Sequence, residues 1–176
     1  MKQKAEKNNT KKIAASAMLA ALSFSFLYIG TLTGVLDLCA VVVGALACAF
    51  AVIEMGAAWA WAVAAVTGTL SLLLLPDKFP AVEYVFLGGI YPILKSYIER
   101  LPKVTSWLIK LLYFNVVLTV GILFAKYVLS VSDDWAVLNA VVYAFGNVFF
   151  VVFDVALTLY ISVYILRWRK KFKFKL

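Results

Sequence analysis

The sequence predicts an all-α, polytopic membrane protein, a bundle of six transmembrane helices with both chain ends in the cytoplasm. The first observation is composition, because 65% of the 176 residues are hydrophobic and the mean hydropathy is +0.96. The core of a water-soluble protein of this length cannot bury so much apolar surface. The second is length, because each apolar run is close to the roughly 20 residues that cross a hydrocarbon core. The third is the placement of Lys and Arg at the predicted membrane edges.

The first three spans are separated by short breaks rich in glycine or proline. Apolar residues follow a lysine-rich tail and continue to a Gly-Thr-Leu-Thr-Gly turn, which closes the first span. Gly56 separates the second span from the third, and Pro76 and Pro80 end the third because proline cannot continue a helix. The tail comprises residues 1–12, and the spans comprise residues 13–32, 37–54 and 57–75.

The last three spans differ in length and regularity. The fourth is short, and Gly88, Gly89 and Pro92 interrupt it. This break either offers backbone carbonyls to a ligand, as in transporters, or is a kink that improves packing. The sixth is longer than a bilayer at about 1.5 Å of rise per residue, so its end should tilt or project into the cytoplasm. These spans comprise residues 82–98, 105–129 and 135–166, and a basic tail, 167–176, completes one membrane domain over residues 1–176.

The charges indicate the orientation of the chain. With the N-terminus inside, every Lys and Arg except Lys78 and Lys126 lies on the inner side, as the positive-inside rule requires. The net charge of +8 therefore indicates topology rather than nucleic-acid binding. We expect a multi-pass protein of the cell membrane with an uncleaved first helix and two cytoplasmic termini. The inner end of the fourth span should carry a solvated collar of charges, Lys95, Glu99 and Arg100.

Polar side chains on the sixth span share one helical face. Asn139, Tyr143 and Asn147 recur every four residues, and the same stripe continues to Asp154. Polar groups are costly in lipid, so the stripe must face protein or a cavity. Its outer part, with Trp135, either lines a ligand pocket open to the exterior or forms interhelical hydrogen bonds.

Two pairs of residues on the fifth and sixth spans are predicted to be structural. Asn115 lies at a depth that allows a hydrogen bond to Asn147. Lys110 and Asp154 lie near the cytoplasmic ends of their helices and neutralise each other if their faces meet. The alternative is that Lys110 extends independently to the membrane interface.

Enzymatic chemistry has little support in the sequence. The chain contains no His, which is the commonest general base and metal ligand. Its carboxylates are dispersed, and no nucleophile or phosphate-binding motif is present. Cys39 and Cys48 lie too far apart on one helix to form a disulfide and are expected to be packing residues. We therefore expect no metal site and no cofactor.

The first span has a smooth cytoplasmic half built from small residues. Ala17 and Ala21 form an AxxxA step, which allows another helix to approach closely. That helix is either part of this chain or part of a separate membrane subunit.

The lysine-rich start that runs into this alanine-rich helix, KKIAASAMLAAL from Lys11 to Leu22, resembles the S components of energy-coupling factor (ECF) transporters. The resemblance implies a six-helix membrane subunit that binds a small, vitamin-like nutrient for uptake and catalyses no reaction. It implies a transmembrane T component and two ATPase subunits as partners, with Ala17 and Ala21 at the T contact. The ligand of that family lies near the outer surface, which implies the candidates Asp37, Tyr84, Lys126, Trp135, Asn139 and Tyr143.

Two other functions are open at this point. The chain is also similar in size and helix count to the small six-helix scaffold proteins of the rod-shape machinery of the cell envelope. A membrane enzyme of lipid or isoprenoid metabolism is the third candidate, against which the absence of His and of paired carboxylates argues.

Overall fold

The computed structural model of the chain describes the backbone of residues 2–34, 36–128 and 136–168, and the side chains of residues 9–34, 36–123 and 141–167. Throughout these ranges the regular structure is helical, and no strand is formed. The α-helices are α1 (Lys2–Thr33), α2 (Asp37–Met55), α3 (Ala57–Leu74), α4 (Phe79–Glu83), α5 (Tyr91–Ile98), α6 (Lys103–Val128) and α7 (Ala136–Val163). Two π-helical segments, Tyr84–Ile90 and Tyr164–Trp168, follow α4 and α7.

Five stretches of the described chain are long and apolar enough to cross a membrane. They are Asn9–Thr33, Asp37–Met55, Ala57–Leu74, Lys103–Leu123 and Val141–Arg167. Many of their large apolar side chains are exposed, as expected where lipid is the surrounding solvent. The chain is therefore a helical, membrane-embedded protein. The predicted fourth span corresponds to the succession of α4, the π segment and α5, in which no single helix has the length of a span.

Helix α1 begins earlier than the first predicted span. The sequence analysis assigned residues 1–12 to a tail, whereas the helix extends back to Lys2. Lys, Gln, Glu and Ala have high helix propensity, which explains why this polar stretch continues the apolar helix. The predicted junction at Gly56 is present, and its φ of +94° suits a residue without a Cβ atom.

The helices form two compact units, of which unit 1 comprises Met1–Ser96 and Tyr160–Leu176. In unit 1, α1 packs against α2 and α3, and the π segment Tyr84–Ile90 packs against α2 and α3. Small side chains line these contacts and let the backbones approach closely. At the α1–α2 contact, for example, a Cβ atom at Gly30 would lie 2.7 Å from the Cβ of Ala40. The core contains Ala20, Cys48, Ala51, Met55, Ala60, Val63, Ala64 and Ile93.

The break after α4 is a packing feature of unit 1. Tyr84 is fully buried, and its ring fills a slot where Gly44 and Gly88 carry no side chain. A Cβ atom at either glycine would lie 2.5 Å from a ring carbon of Tyr84. The thiol of Cys48 contacts the carbonyl oxygen of Gly89 at 3.3 Å. The burial of Tyr84 and the contact of Cys48 with Gly89 therefore favour a kink that improves packing over an open ligand site at this break.

The last turns of α7 also belong to unit 1. The Tyr164 hydroxyl donates a hydrogen bond of 3.2 Å to Oε1 of Glu54, near the end of α2. The Tyr164 ring also meets Phe50 edge to face, with the ring centroids 5.3 Å apart. The start of the second π segment is therefore attached to the end of α2 by one polar and one aromatic contact.

Candidate functional site

The candidate site is a succession of polar contacts between α6 and α7 in unit 2, which comprises Tyr97–Leu159. On α7, Tyr143, Asn147 and Asp154 share one face because their spacing of four and seven residues matches the helical repeat. Helix α6 carries matching partners on the face that meets α7. We call these contacts the polar ladder, formed by the pairs Lys110–Asp154, Asn115–Asn147 and Thr119–Tyr143.

The middle of the polar ladder is a reciprocal pair of amides. Nδ2 of Asn115 donates to Oδ1 of Asn147 at 3.0 Å, and Nδ2 of Asn147 donates to Oδ1 of Asn115 at 3.2 Å. Each amide also donates at 2.8 Å to a carbonyl one turn earlier in its own helix, that of Leu111 or Tyr143. The predicted hydrogen bond is therefore present. Both amide groups have their N–H donors occupied, which suits a structural role.

One end of the polar ladder, called the outer step after the predicted orientation of the chain, joins two hydroxyl groups. The Oγ1 atom of Thr119 lies 2.7 Å from the Tyr143 hydroxyl oxygen and donates its own hydrogen to the carbonyl of Asn115 at 2.7 Å. Tyr143 must therefore be the donor to Thr119, since a threonine hydroxyl has one hydrogen. The Thr119 side chain is exposed and that of Tyr143 is partly exposed. The Tyr143 oxygen keeps lone pairs that can accept a hydrogen bond from a ligand.

A layer of aromatic rings separates the amides from the charged end of the polar ladder. Phe114 and Phe150 are buried and stack with centroids 4.5 Å apart. Gly146 contributes to this close approach of α6 and α7, because a Cβ atom there would lie 3.3 Å from Leu118 and 3.4 Å from Phe114. Polar groups on the two sides of the rings are thereby kept apart.

The opposite end of the polar ladder, called the inner end in the same sense, is an ion cluster. Nζ of Lys110 lies 2.9 Å from Oδ2 of Asp154 and 3.3 Å from Oε1 of Glu99. The Lys110 and Asp154 side chains are 5% and 3% exposed, and that of Glu99 is 39% exposed. Of the two alternatives for Lys110, neutralisation by Asp154 is the one that the structure contains. Buried charges in membrane helices are tolerated when they are paired, which explains this contact.

The collar predicted at the end of the fourth span has a different structure. Lys95 is 1% exposed and belongs to the interior, so the expectation of a solvated lysine there was wrong. Glu99 lies against Lys110, and the Arg100 guanidinium stacks over the Tyr97 ring at 5.6 Å. Helix α5 ends at Ile98, so Glu99 and Arg100 lie in the turn that follows it. The helical spacing also carried no information on which neighbouring helices the three side chains face.

Two of the predicted ligand residues lie in unit 1. Asp37 begins α2, and its Oδ1 atom is buried without a hydrogen-bond partner among the described residues. Tyr84 lies in its glycine slot, and its hydroxyl also lacks a partner within the described part of the chain. Tyr143 lies in the polar ladder of unit 2. The side chains of Lys126, Trp135 and Asn139 lie outside the described residues, so their predicted roles stay predictions.

The predicted docking residues lie on the free face of α1. Ala17 and Ala21 are exposed, whereas the residues that α1 buries occupy another face, Ser16, Ala20, Ser23, Leu27 and Gly30. The buried set repeats at intervals of three and four residues, which is the period of a helix packed on one side. The AxxxA step is therefore not used for the contacts of α1 with α2 and α3.

Sequence reasoning missed Thr119 and Trp107. Thr119 follows Asn115 by four residues, so the helical period could have placed it beside Tyr143. Trp107 precedes Lys110 by three residues, and Nζ of Lys110 lies 5.5 Å from the centroid of its ring. No group of three or more Cys, Asp or Glu side chains that could hold a metal ion occurs in the described part of the chain.

Comparison of the chain with protein-family models, with curated proteins and with solved structures found no match.

Proposed function

We propose that the chain is the substrate-binding membrane subunit of an energy-coupling factor transporter, the S component. It captures a small, vitamin-like nutrient at the outer face of the cell membrane. A T component and two ATPase subunits then drive uptake, and the chain itself catalyses no reaction. The observation that carries the proposal is the exposed AxxxA step of α1, at Ala17 and Ala21.

The packing of α1 supports a partner outside this chain. The face of α1 that meets α2 and α3 is distinct from the face that carries Ala17 and Ala21. Small residues on a membrane helix allow a second helix to approach closely, and association between such helices depends on this packing because lipid offers no hydrophobic driving force. The alternative of a contact partner within the same chain has no support from the described packing of α1.

The outer step of the polar ladder supports a ligand at the outer face. Thr119 and Tyr143 are exposed or partly exposed within candidate membrane spans. Both hydroxyl hydrogens are already donated, but the Tyr143 oxygen has lone pairs that a polar ligand or water can use. Tyr143 is accordingly the described residue that best fits the predicted ligand set.

The proposed architecture has six spans. The succession of α4, the π segment and α5 is the fourth span, and its Tyr84, Tyr91 and Ile93 side chains are fully buried. Residues 79–98 would extend for about 30 Å at 1.5 Å per residue, which matches the hydrocarbon core. The distribution of Lys and Arg supports cytoplasmic placement of both termini.

The test is purification of the tagged chain from its native host in a mild detergent, followed by mass spectrometry of co-purifying proteins and small molecules. Wild type is compared with Ala17→Trp and Ala21→Trp, which place a bulky ring on the AxxxA step. We expect wild type to retain a T component and two ATPases, and each variant to lose them.

The matched control is Leu22→Trp, which changes an exposed residue on another face of the same helix. It should retain the partners, which shows that a tryptophan on α1 does not itself prevent assembly. Recovery of cell-envelope synthesis proteins with the wild-type chain would instead favour the scaffold function. Absence of both a T component and a bound nutrient from wild type would overturn the proposal.

A further inference from the structure

Unit 2 contains a groove of about 460 Å³ between the inner ends of α6 and α7, beside the ion cluster. Its walls are largely apolar, with Leu101, Trp107, Val155 and Leu159 among the lining residues. Trp107 and Leu159 are 39% and 60% exposed, so the groove is open to the surroundings of the protein. Within a membrane, an open apolar groove of this kind suits a hydrocarbon chain.

The lining of the groove contains two acidic and two basic side chains, but the contacts among them are unevenly distributed. Both acidic lining residues, Glu99 and Asp154, contact Lys110. Lys103 also lines the groove but takes part in none of the ion pairs found among the described residues, and its side chain is exposed. Among the described lining residues, Lys103 is therefore the cation that no carboxylate contacts, and it lies beside apolar walls.

The local backbone adds to this preference for an anion. Lys103 is the first residue of α6, and the first turn of that helix contains no acidic residue. The initial N–H groups of a helix lack partners within the helix and carry partial positive charge. A phosphate beside Lys103 would therefore meet both a positive side chain and the positive end of α6.

We propose that the groove binds one acyl chain of an anionic phospholipid whose phosphate lies against Lys103. Basic pockets between membrane helices on the cytoplasmic side are a recurring mode of anionic-lipid recognition. The site is separate from nutrient capture, so it holds whether or not the chain is a transporter subunit. Trp107 forms one wall and provides an intrinsic optical probe of the bound lipid.

The test uses the full chain with Trp107 as its single tryptophan, so that Trp59, Trp61, Trp135 and Trp168 are replaced by Phe. The protein is reconstituted in phosphatidylcholine bilayers that contain brominated phosphatidylglycerol or, at the same mole fraction, brominated phosphatidylcholine. Bromine quenches a tryptophan that it touches. We expect stronger quenching by the anionic lipid, and we expect Lys103→Gln to lower its relative association constant about fivefold.

Two controls separate a specific site from general attraction. A chain that retains Trp61 alone, exposed on α3, should be quenched equally by both lipids. Lys11→Gln removes one exposed positive charge elsewhere and should leave the Trp107 preference unchanged. Equal quenching of Trp107 by both lipids, or equal effects of the two lysine substitutions, would overturn the proposal. Protection of Trp107 from both lipids would also overturn it, because a protein segment would then occupy the groove.

Native mass spectrometry provides a second measurement that leaves all five tryptophans in place. The wild-type chain should retain a phosphatidylglycerol molecule at collision energies that remove phosphatidylcholine, and Lys103→Gln should lose that difference. Retention of phosphatidylglycerol by Lys103→Gln as strongly as by wild type contradicts the site even if the tryptophan variants fail to fold.

Discussion

Asn115 and Asn147 donate to each other's side-chain oxygen atoms, so that two hydrogen bonds of 3.0 and 3.2 Å join α6 to α7 at one level. Lipid offers no hydrogen-bond partner to either side-chain amide. The pair also lies between two levels of different chemistry, hydroxyl groups at Thr119 and Tyr143 and charges at Lys110 and Asp154. The same two helices thus combine a structural centre with an outer and an inner polar end.

Removal of one amide should lower the free energy of unfolding more than removal of both. Asn115→Leu and Asn147→Leu each leave the other amide without its partner, whereas the double variant replaces both with apolar side chains. A double-mutant cycle on the free energy of unfolding in mixed micelles should give a coupling of about 0.6 to 1.7 kcal/mol. Additive single effects would contradict a direct interaction between the two amides.

The ion cluster should tolerate loss of one acid better than loss of its lysine. Lys110→Met removes the cation that both carboxylates contact, and breaking such a buried pair costs about 3 kcal/mol or more. Asp154→Asn leaves Glu99 beside Lys110 and should cost less. The thermal midpoint in detergent measures both effects, and a larger loss for Asp154→Asn would show that Glu99 does not compensate.

A single methyl group added to the glycine slot around Tyr84 should destabilise the protein. Gly44→Ala and Gly88→Ala each place a Cβ atom 2.5 Å from the ring, and such overpacking costs about 1 to 3 kcal/mol. Gly121→Ala is the matched control, because a Cβ atom there meets nothing within 4 Å, and it should be neutral or slightly stabilising. Thermal unfolding measures the three variants. Rescue of Gly44→Ala by Tyr84→Leu would identify the ring as the cause.

The proposed function predicts that the outer step of the polar ladder contributes to nutrient binding but not to assembly. Tyr143→Phe removes the hydroxyl that bonds to Thr119 and should weaken binding of the nutrient that co-purifies with wild type about tenfold. Isothermal titration against that nutrient measures the change, while recovery of the T component should stay as in wild type. Phe145→Leu, at a side chain 73% exposed, is the control and should bind as wild type does.

Cys39 provides a test of orientation. Its side chain is exposed near the start of α2, whereas Cys48 is buried in unit 1. A membrane-impermeant maleimide should therefore label Cys39 in intact cells if the α1–α2 connection is external. Lys11→Cys, in a chain without the two native cysteines, should react only after the cells are permeabilised. The reverse pattern would mean that the termini are external.

Helical periodicity was informative where two polar residues of one helix met two of another. Together with depth in the membrane, which limits which polar groups can meet, it predicted the amide pair and offered the contact of Lys110 with Asp154 as one of two alternatives. It failed at Lys95, whose burial depends on neighbouring helices that its own helical period does not reveal. The start of α1 was also misjudged, because hydropathy reports where lipid begins and not where a helix begins.

Tyr84 illustrates a further limit of sequence reasoning. Its place near the outer end of the fourth span and its hydroxyl group suggested a ligand contact. The structure instead buries its ring against Gly44 of α2 and Gly88 of its own helix. The slot depends on the absence of a side chain on a different helix, which a pattern within one segment cannot indicate.

The junction at Gly56 has a consequence for how the protein is made. A single residue separates Met55, the end of α2, from Ala57, the start of α3. A connection of one residue keeps the end of α2 and the start of α3 next to each other at every stage. We therefore expect the two helices to enter the membrane as a helical hairpin rather than as independent helices.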